Sequence, residues 1–422
     1  MKIFDQIKKA CLLLAVFAVS LTACNKLELE PTPNPAATQG TTPTLATLLD
    51  APEFSLLKTV ISKADLLTTL SAPNLRFTLF APDNAAITRT LTPILPPGVT
   101  PEIYINNILS VDDAKALVKY NIIPQEIGST SIPNGPFSNL RYPSLFNPLE
   151  SIPAAALFRM QTFPSKRGSV LWVNNIPLTA SDIHAVNGIM HKVALIVMPP
   201  KRLLWNRIDQ DTTLSYFKAA IQRADPSGQI QGALSNPGAN FTVMAPVNNA
   251  VRPVLFGALY QGMLAQGVPQ PVAFAQATAL SSTPEGFNYL PVSIAGGIVL
   301  YHMFDDRGVT KSSVVLNKRP GRVFSINIPA IEDSAYTFLN SQDTIGKTYY
   351  RIKMHADFSA LGAVTAATVR GASNATASNF LINPTPDTVS ISRSEPAYPG
   401  TSDQQYINGI LHKIDQVLLP PQ

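Results

Sequence analysis

The stretch FTLFAPDNAA at residues 77–86 returns later in the chain as FTVMAPVNNA at residues 241–250. A second stretch, NGIMHKV at residues 187–193, returns as NGILHKI at residues 408–414, and each version runs on to a Pro-Pro pair. The two stretches keep the same order, and their copies lie about one domain length apart. Independent blocks that recur in order predict duplication of a whole folding unit, so the chain is predicted to be a tandem array.

An amphipathic helix is predicted before the first block of each copy. The apolar residues that share its buried face are Phe54, Leu57, Ile61 and Ala64 in the first copy, and Leu214, Phe217, Ile221 and Ala224 in the second. This helix recurs after 160 positions, whereas the Asn-Gly block recurs after 221. The second copy therefore has 221 − 160 = 61 additional residues. We expect them in loops, because lengthening a loop costs little free energy.

The first block predicts a short strand followed by a helix. Apolar side chains alternate along it until the Ala-Pro pair. Because proline cannot donate to a strand ladder, Pro82 and Pro246 are expected to end the strands. The candidate N-caps of the following helices are Asp83 or Asn84 in the first copy and Asn248 or Asn249 in the second.

The second block opens on Asn-Gly, a pair that favours the positive φ angles of a tight hairpin turn. Both faces of the strand that follows are apolar, so it is expected to be buried on both sides. Its histidine is interpreted as a core residue bonded to the backbone rather than as a catalytic one. The residues concerned are Asn187, Gly188 and His191 in the first copy, and Asn408, Gly409 and His412 in the second.

The N-terminus has the pattern of a targeting segment. Lysines precede an apolar run from Ala10 to Leu21, and the sequence Leu-Thr-Ala-Cys ends at Cys24. This resembles a bacterial lipoprotein signal, which implies removal of residues 1–23 and attachment of lipid, including palmitate, to Cys24. An ordinary secretory signal with an incidental cysteine is the alternative. Residues 24–42, rich in proline and threonine, are predicted to form a flexible tether.

Net charge, cysteine count and the length of apolar stretches limit what the mature chain is expected to bind. Loss of three lysines and Asp5 with the signal lowers the net charge from +5 to +5 − 3 + 1 = +3, which argues against nucleic acid. Apart from Cys24 the only cysteine is Cys11, so the mature chain is expected to have no disulfide. No later stretch reaches the roughly 18 apolar residues of a spanning helix. The expected membrane contact is therefore the lipid anchor at Cys24.

The residues after the lipid cysteine bear on location. Asn25 follows Cys24, whereas an Asp there would favour retention at the inner membrane in enteric bacteria. The charged run from Lys26 to Glu30 weakly resembles the export tags of surface lipoproteins. We expect a cell-envelope protein, an outer-membrane lipoprotein, and surface exposure is a hypothesis.

Taken together, the two blocks resemble the fasciclin-like domain family, whose markers are a Thr-x-Phe-Ala-Pro-type strand and an Asn-Gly-x-x-His strand. The resemblance covers residues 43–200 and 203–421, nearly all of the mature chain. It implies two tandem α+β domains, each a wedge of mostly antiparallel strands with short flanking helices, acting in adhesion or ligand binding. The family's Tyr-His pair stands intact as Tyr301-His302, but the first copy has Tyr120-Asn121.

The residues that match the family's motifs are expected to be structural, and no residue is singled out for ligand binding. They are Pro82, Asn187, Gly188, His191, Pro246, Tyr301, His302, Asn408, Gly409 and His412. Recognition is expected instead in the long loops at residues 126–170 and 303–400, because loops on a rigid scaffold tend to carry function. The short Lys-Arg-Leu junction at residues 201–203 predicts limited freedom between the copies.

Enzymatic signatures are absent from the sequence. It contains no Gly-x-Ser-x-Gly elbow, phosphate loop or His-Glu-x-x-His segment, so we expect neither an enzyme nor a cofactor. A hydrolase or metal enzyme built on His302, with Asp305 and Asp306 nearby, is the weakest alternative. A stronger alternative is a glycan-binding accessory of a polysaccharide uptake system. Trp172, Trp205, Tyr349 and Tyr350 could stack on sugars or anchor a protein partner, but their apolar and strand-like settings favour core or half-buried packing.

Overall fold

The structure is a computed structural model that describes residues 42–135, 140–305, 309–311, 314–316, 321–340, 349–360, 362–381 and 402–421. The predicted signal peptide, Cys24, nearly all of the predicted tether and Asp306 lie outside the described residues. Within the described part of the chain, no helix is both long and apolar enough to cross a membrane.

The first copy places its helices before and between its strands. The α-helices are Leu45–Leu48, Ser55–Lys63, Leu67–Ser71, Asn84–Leu91, Pro101–Ile103 and Val111–Tyr120, with a π-helical turn at Tyr104–Ile108. The strands are β1 (Phe77–Pro82), β2 (Ile122–Ile123), β3 (Tyr142–Pro143), β4 (Gln161–Thr162), β5 (Pro164–Arg167), β6 (Val170–Val173), β7 (Ile176–Ala185) and β8 (Gly188–Val193).

The second copy repeats this plan with longer helices and more strands. Its α-helices are Leu204–Gln210, Ser215–Ala224, Gln229–Leu234, Asn248–Ala265, Gln270–Leu280 and Val292–Tyr301. Its strands are β9 (Phe241–Pro246), β10 (Met303–Asp305), β11 (Val309–Lys311), β12 (Val314–Leu316), β13 (Asp333–Asn340), β14 (Tyr349–Phe358), β15 (Val364–Arg370), β16 (Ser378–Asn379), β17 (Gln404–Tyr406) and β18 (Gly409–Ile414).

The two repeated sequence blocks are neighbouring strands in each copy. The first sheet has the order β2-β1-β8-β7-β6-β5, and β1 runs parallel to β8 with Phe77 opposite Gly188. The equivalent sheet has the order β10-β9-β18-β17, and β9 runs parallel to β18 with Phe241 opposite Gly409. Every other pairing in these sheets is antiparallel. The predicted α+β class with mostly antiparallel strands is confirmed.

The Asn-Gly pair does not form the hairpin turn as predicted. Ala185 pairs with Gly188, so the two-residue turn is Val186-Asn187, and Gly188 is the first residue of β8. Gly188 has φ +143°, and a Cβ there would lie 1.9 Å from the carbonyl oxygen of Phe77. The glycine is required by this close approach of two backbones rather than by the turn itself.

Asn187 was predicted as a turn residue, but its main structural role is to form side-chain hydrogen bonds with the N-terminal helices. Its side chain accepts a hydrogen bond from the Leu45 amide (2.8 Å) and donates to the carbonyls of Leu70 (2.8 Å) and Ala72 (3.1 Å). In the second copy, Asn408 accepts from the Leu204 amide (2.9 Å) and donates to a helix-end carbonyl. Each asparagine therefore satisfies unpaired groups at helix ends and ties the N-terminal helices to the sheet.

The helix after the first block is capped as predicted in one copy only. Asp83 accepts a hydrogen bond from the Ala86 amide at 2.8 Å, which is an N-cap bond. In the second copy the N-cap position is Val247, which makes no side-chain cap. The prediction of Asn248 or Asn249 as N-cap is wrong, because the Asn248 side chain instead accepts a hydrogen bond from the Tyr216 amide (3.2 Å) in helix Ser215–Ala224.

The predicted helix stripes lie in the two main helical cores. Phe54, Leu57 and Ile61 are buried in the first copy, as are Leu214, Phe217 and Ile221 in the second. The strands also pack on their other faces, where separate clusters form around Phe80 and Phe304. A fifth cluster joins the copies, because it contains Phe163 and Trp172 together with Phe324, Ile326 and Ile410.

Candidate functional site

A Ser-Asp-His cluster occurs once in each copy, at the strand that carries the repeated histidine, and the histidine is buried in both. In the first copy the Asp182 amide donates to His191 Nδ1 (3.2 Å), and His191 Nε2 faces the carbonyl oxygen of Ile127 (2.8 Å). Ser129 donates from its amide (2.9 Å) and its hydroxyl to the Asp182 carboxylate. The serine bonds the aspartate rather than the histidine, so the order of a catalytic triad is absent from this cluster.

The second copy reproduces the cluster with deeper burial. The Asp403 amide donates to His412 Nδ1 (3.2 Å), His412 Nε2 faces the Val323 carbonyl (2.7 Å), and Ser325 bonds the carboxylate. Both Asp182 (φ +57°) and Asp403 (φ +56°) adopt left-handed backbone conformations. Such conformations are costly away from glycine, and here the hydrogen bonds to serine and histidine hold them.

Burial sets the ionisation of these groups. It lowers the pKa of His191 and of His412, because each imidazole is removed from water while its Nδ1 accepts a backbone N–H. Burial also raises the pKa of Asp403. Around the less buried Asp182, burial opposes ionisation, but the Ser129 hydrogen bonds outweigh it and lower the pKa. Both histidines are thus held neutral, with the proton on Nε2.

His302 is a third buried histidine with both ring nitrogens in use. Its Nδ1 faces the Ile298 carbonyl (2.6 Å), and its Nε2 accepts the Leu418 amide (2.9 Å). Burial lowers its pKa to about 4. Neither nitrogen is left for a metal or a substrate proton, which removes the geometric basis of an enzyme built on His302. In the described residues, no three His, Cys, Asp or Glu side chains are grouped so that they could hold a metal ion.

Tyr120 and Tyr301 are both buried, but they bond to different parts of the molecule. Tyr301 Oη donates to the Arg351 carbonyl (2.7 Å) and accepts the Ala372 amide (2.9 Å), all within the second copy. Tyr120 Oη donates to the Gln161 carbonyl (3.1 Å) in its own copy but accepts from Gln405 Nε2 (2.7 Å) in the other. The Tyr-His pair of this chain is therefore a buried element and not a surface motif.

Gln405 is the centre of a hydrogen-bonded bridge between the copies. Besides Tyr120, it bonds Asn174, whose Nδ2 donates to Gln405 Oε1 at 3.0 Å. Arg167 adds a second link, since its Nε donates to the Ile326 carbonyl at 3.1 Å and its guanidinium lies 3.7 Å from the Phe358 ring centroid. These contacts and the shared apolar cluster join the two copies along a buried surface.

The aromatic residues considered for sugar stacking lie largely inside the fold. Trp172 is 4% exposed and packs in the cluster between the copies. Trp205 and Tyr350 are partly buried against cores of the second copy, and Tyr349 is also half-buried. None of the four is among the exposed large apolar residues of the described part of the chain.

A different set of apolar residues lies at the surface of two helices of the second copy, where Phe256 and Tyr260 are half-buried and Val272 and Phe274 are exposed. We call Phe256, Tyr260, Val272 and Phe274 the aromatic patch. The Phe274 ring lies 5.4 Å from that of Phe256 and 6.1 Å from that of Tyr260, both edge-on. Phe274 is 56% exposed and Val272 is 45% exposed. The first copy has no matching surface in its described part, since its helix after the first block ends at Leu91 after 8 residues, against 18 in the second copy.

The patch lies outside the segments in which recognition was predicted. A compositional signal for it was present, because residues 253–284 contain no Asp, Glu, Lys or Arg. Such a stretch would ordinarily be buried, and only the tertiary structure shows that Phe274 faces outward. The repeated histidines are therefore buried structural groups, whereas the exposed candidate surface lies on helices Asn248–Ala265 and Gln270–Leu280.

Comparison with known proteins finds similarity over the first copy. Residues 52–199 match the family model described as Fasciclin domain. Protein sll1483 of Synechocystis sp. is 27% identical over 192 residues, which are 44% of this chain and 91% of that protein. The transforming growth factor-beta-induced protein ig-h3 of Sus scrofa is 29% identical over 195 residues, 44% of this chain but only 25% of that protein. The match to the Fasciclin domain model thus covers the first copy, at residues 52–199.

Among solved structures, the chain is similar to a FAS1 domain pair from the insect cell adhesion molecule fasciclin I. The sequences are 12% identical, the match covers 86% of this chain and 95% of that one, and the TM-score is 0.31. A score this low carries no structural argument. The relation between the two copies here rests instead on their shared parallel strand pair and their shared Asn and His hydrogen bonds.

Proposed function

We propose that this chain is a lipid-anchored protein of the cell envelope whose fasciclin-like copies bind a protein partner in adhesion. The observation that supports binding is the aromatic patch, in which Val272 and Phe274 are exposed on helix Gln270–Leu280, within a stretch, residues 253–284, that contains no charged residue. Contiguous exposed apolar surface commonly marks a site of protein association. Aromatic side chains are also enriched among the residues that contribute most to binding.

The geometry of the patch favours a protein over a glycan. Phe256 and Tyr260 lie nearly parallel, with 5.7 Å between ring centroids and 10° between planes, so each shields part of one face of the other. Phe274 stands edge-on to both rings. A sugar needs an open ring face with polar groups around it, whereas an apolar protein side chain can pack on the ring edges.

The buried bridge at Gln405 supports an adhesive role for the pair of copies. Because Tyr120 and Asn174 bond Gln405 across the boundary, the two copies are joined by side-chain contacts in addition to the chain itself, which suits a module placed under tension. The first copy is the one that follows the predicted tether. The proposed arrangement is a lipid at Cys24, a spacer, and two joined copies with the patch on the outer one.

Adhesion of whole cells tests the proposal. Cells producing Val272→Ser/Phe274→Ser should attach to partner cells no better than cells without the protein, while the control Leu157→Ser should attach normally. Leu157 is a comparably exposed apolar residue (65%) in the first copy. A Cys24→Ala variant should leave the membrane fraction after carbonate washing and should also fail to support attachment. Full attachment by the patch variant would contradict the proposed surface.

Treatment of the partner cells distinguishes the two classes of ligand. If the partner is a protein, protease treatment of those cells should abolish attachment, and periodate oxidation of their glycans should leave it intact. The opposite pattern would replace the protein partner with a glycan and favour the accessory role in polysaccharide uptake.

A further inference from the structure

The first copy contains a cavity of about 80 Å³ below its helices. Its wall is apolar for the most part and is formed by helix Ser55–Lys63, helix Val111–Tyr120 and the π-helical turn at Tyr104–Ile108. The deep wall includes Ile61 and Asn121, which are 0% and 4% exposed. π-Helical turns are rare and are frequent at functional sites.

One end of the cavity opens to solvent. Ile94, Asp113 and Lys201 also line it, and Ile94 is 41% exposed. Lys201 Nζ lies 2.7 Å from Asp113 Oδ1, and their side chains are 60% and 47% exposed. The cavity therefore has a buried apolar interior and a polar rim whose two charges neutralise each other.

The second copy explains why the first copy has this space. Phe217 and His302 lie side by side there, with 5.9 Å between ring centroids. The equivalent positions of the first copy, displaced by 160 and 181 residues, are Leu57 and Asn121, and both line the cavity. Two large rings in one copy thus correspond to two smaller side chains in the other.

Asn121 presents an unsatisfied acceptor at this place. Its Nδ2 donates to the carbonyls of Leu117 (2.8 Å) and Val197 (2.9 Å), which fixes the orientation of the carboxamide. Its Oδ1 is buried and has no hydrogen-bond partner in the structure. A buried acceptor without a partner is costly, and it is the group that a ligand with a donor would satisfy.

We propose that this cavity binds a slender aliphatic alcohol, whose hydroxyl group donates a hydrogen bond to Asn121 Oδ1. The cavity provides several times the space that one water needs, yet it is smaller than the 150 Å³ cavity that holds benzene. A linear alkyl chain fits this volume better than a ring does. The end of the alkyl chain remote from the hydroxyl group would reach solvent between Ile94 and Lys201. An uncharged head is favoured over a carboxylate, because Lys201 already pairs with Asp113.

This site is independent of the aromatic patch, which lies in the other copy. It would give the chain a small-molecule ligand in addition to the proposed protein partner. A variant that loses alcohol binding but keeps cell attachment, or the reverse, would therefore separate the two proposals.

The probe for the test is 1-hexanol, with 1-methoxypentane as a matched compound of equal heavy-atom number that has no hydroxyl donor. The protein retains both copies and carries Cys24→Ser in place of the lipid site. Calorimetric titration should show hexanol binding about tenfold more tightly than the ether, the value of one ordinary hydrogen bond. In protein labelled with ¹⁵N-asparagine, the Asn121 carboxamide resonance should shift saturably with hexanol.

Two variants copy the second repeat into the first. Leu57→Phe and Asn121→His should each abolish hexanol binding, because Phe217 and His302 show the side chains that fill this position. Leu157→Phe makes the same substitution as Leu57→Phe at an exposed site and should bind as the parent does. Unchanged hexanol affinity in folded Leu57→Phe or Asn121→His would overturn the proposal. So would equal affinities for alcohol and ether, or an Asn121 resonance that does not move, and these two results need no variant.

Discussion

At the scale of single residues, the buried histidines are fixed by the groups that face them. His191, His302 and His412 each accept one backbone N–H and face one backbone carbonyl, so the neutral ring satisfies both partners. Protonation of the ring would put a hydrogen on the nitrogen that accepts the backbone N–H, so two donors would face each other in a buried site without water. This is the physical reason why these residues serve the fold and why acid should weaken it.

His302 gives the sharpest prediction about pH. Its pKa is about 4 in the folded protein against an ordinary value of 6.5, so the unfolded chain binds the proton first as pH falls. Its contribution to the free energy of unfolding is complete above pH 6.5 and is lost towards pH 4, by about 3 kcal/mol. Urea unfolding across this window should show a shallower pH dependence in His302→Asn. Because His191 and His412 remain in both proteins, the difference reports His302, and parallel curves would refute the prediction.

At the scale of elements, each copy is organised by a parallel strand pair that brings its two sequence blocks together. In the first copy the contact between β1 and β8 begins where Phe77 meets Gly188. Asn187, one residue earlier, bonds the helix ends at Leu45 and Leu70. The Asn-Gly block therefore connects the sheet to the N-terminal helices, because Asn187 bonds the helices and Gly188 permits the strand contact. Both residues are needed, so they recur together in the second copy.

Gly188→Ala should be strongly destabilising. The added Cβ would meet the Phe77 carbonyl at 1.9 Å, and φ is +143°, so the strand pair must separate. We expect a loss of more than about 3 kcal/mol in the free energy of unfolding, or no folded protein. Gly168→Ala is the matched control, since Gly168 has φ +61° with nothing within 4 Å, and it should cost only about 1–2 kcal/mol. Similar losses in both variants, measured by urea denaturation, would show that the close approach is unimportant.

At the scale of the whole molecule, the two copies share a buried boundary. Gln405 reaches Tyr120 and Asn174, and Arg322 lies 4.9 Å from the ring centroid of Phe163. Burial lowers the pKa of Arg167 to about 10, which leaves it charged at neutral pH while it donates to the Ile326 carbonyl. Since buried polar groups of one copy are satisfied by the other, separation of the copies would expose or strand them.

Tyr120→Phe should loosen this boundary selectively. It removes the hydroxyl that accepts from Gln405 and Asn174, and the unpaired amides should cost about 1–3 kcal/mol. Calorimetric unfolding should then resolve into two transitions, and a protease should cut near residues 201–203 sooner than in the parent protein. Tyr301→Phe is the control, because Tyr301 bonds only within the second copy. It should lower stability without earlier cleavage at the junction. Equal cleavage rates in the two variants would count against the bridge.

The sequence by itself predicted the duplication and the buried strand that carries His191 and His412, and its resemblance to the fasciclin-like family implied the α+β class. Apolar periodicity and recurring blocks encode these features locally, because one buried face has one pattern. The tertiary structure decided what each polar group does. Asn187 looked like a turn residue and bonds distant helix ends, Tyr120 bonds the other copy, and Phe274 lies on the surface despite its apolar surroundings. The first two assignments depend on hydrogen-bond partners more than 100 residues away in the sequence, and the third depends on which helix face no other element covers. Local sequence specifies neither of these.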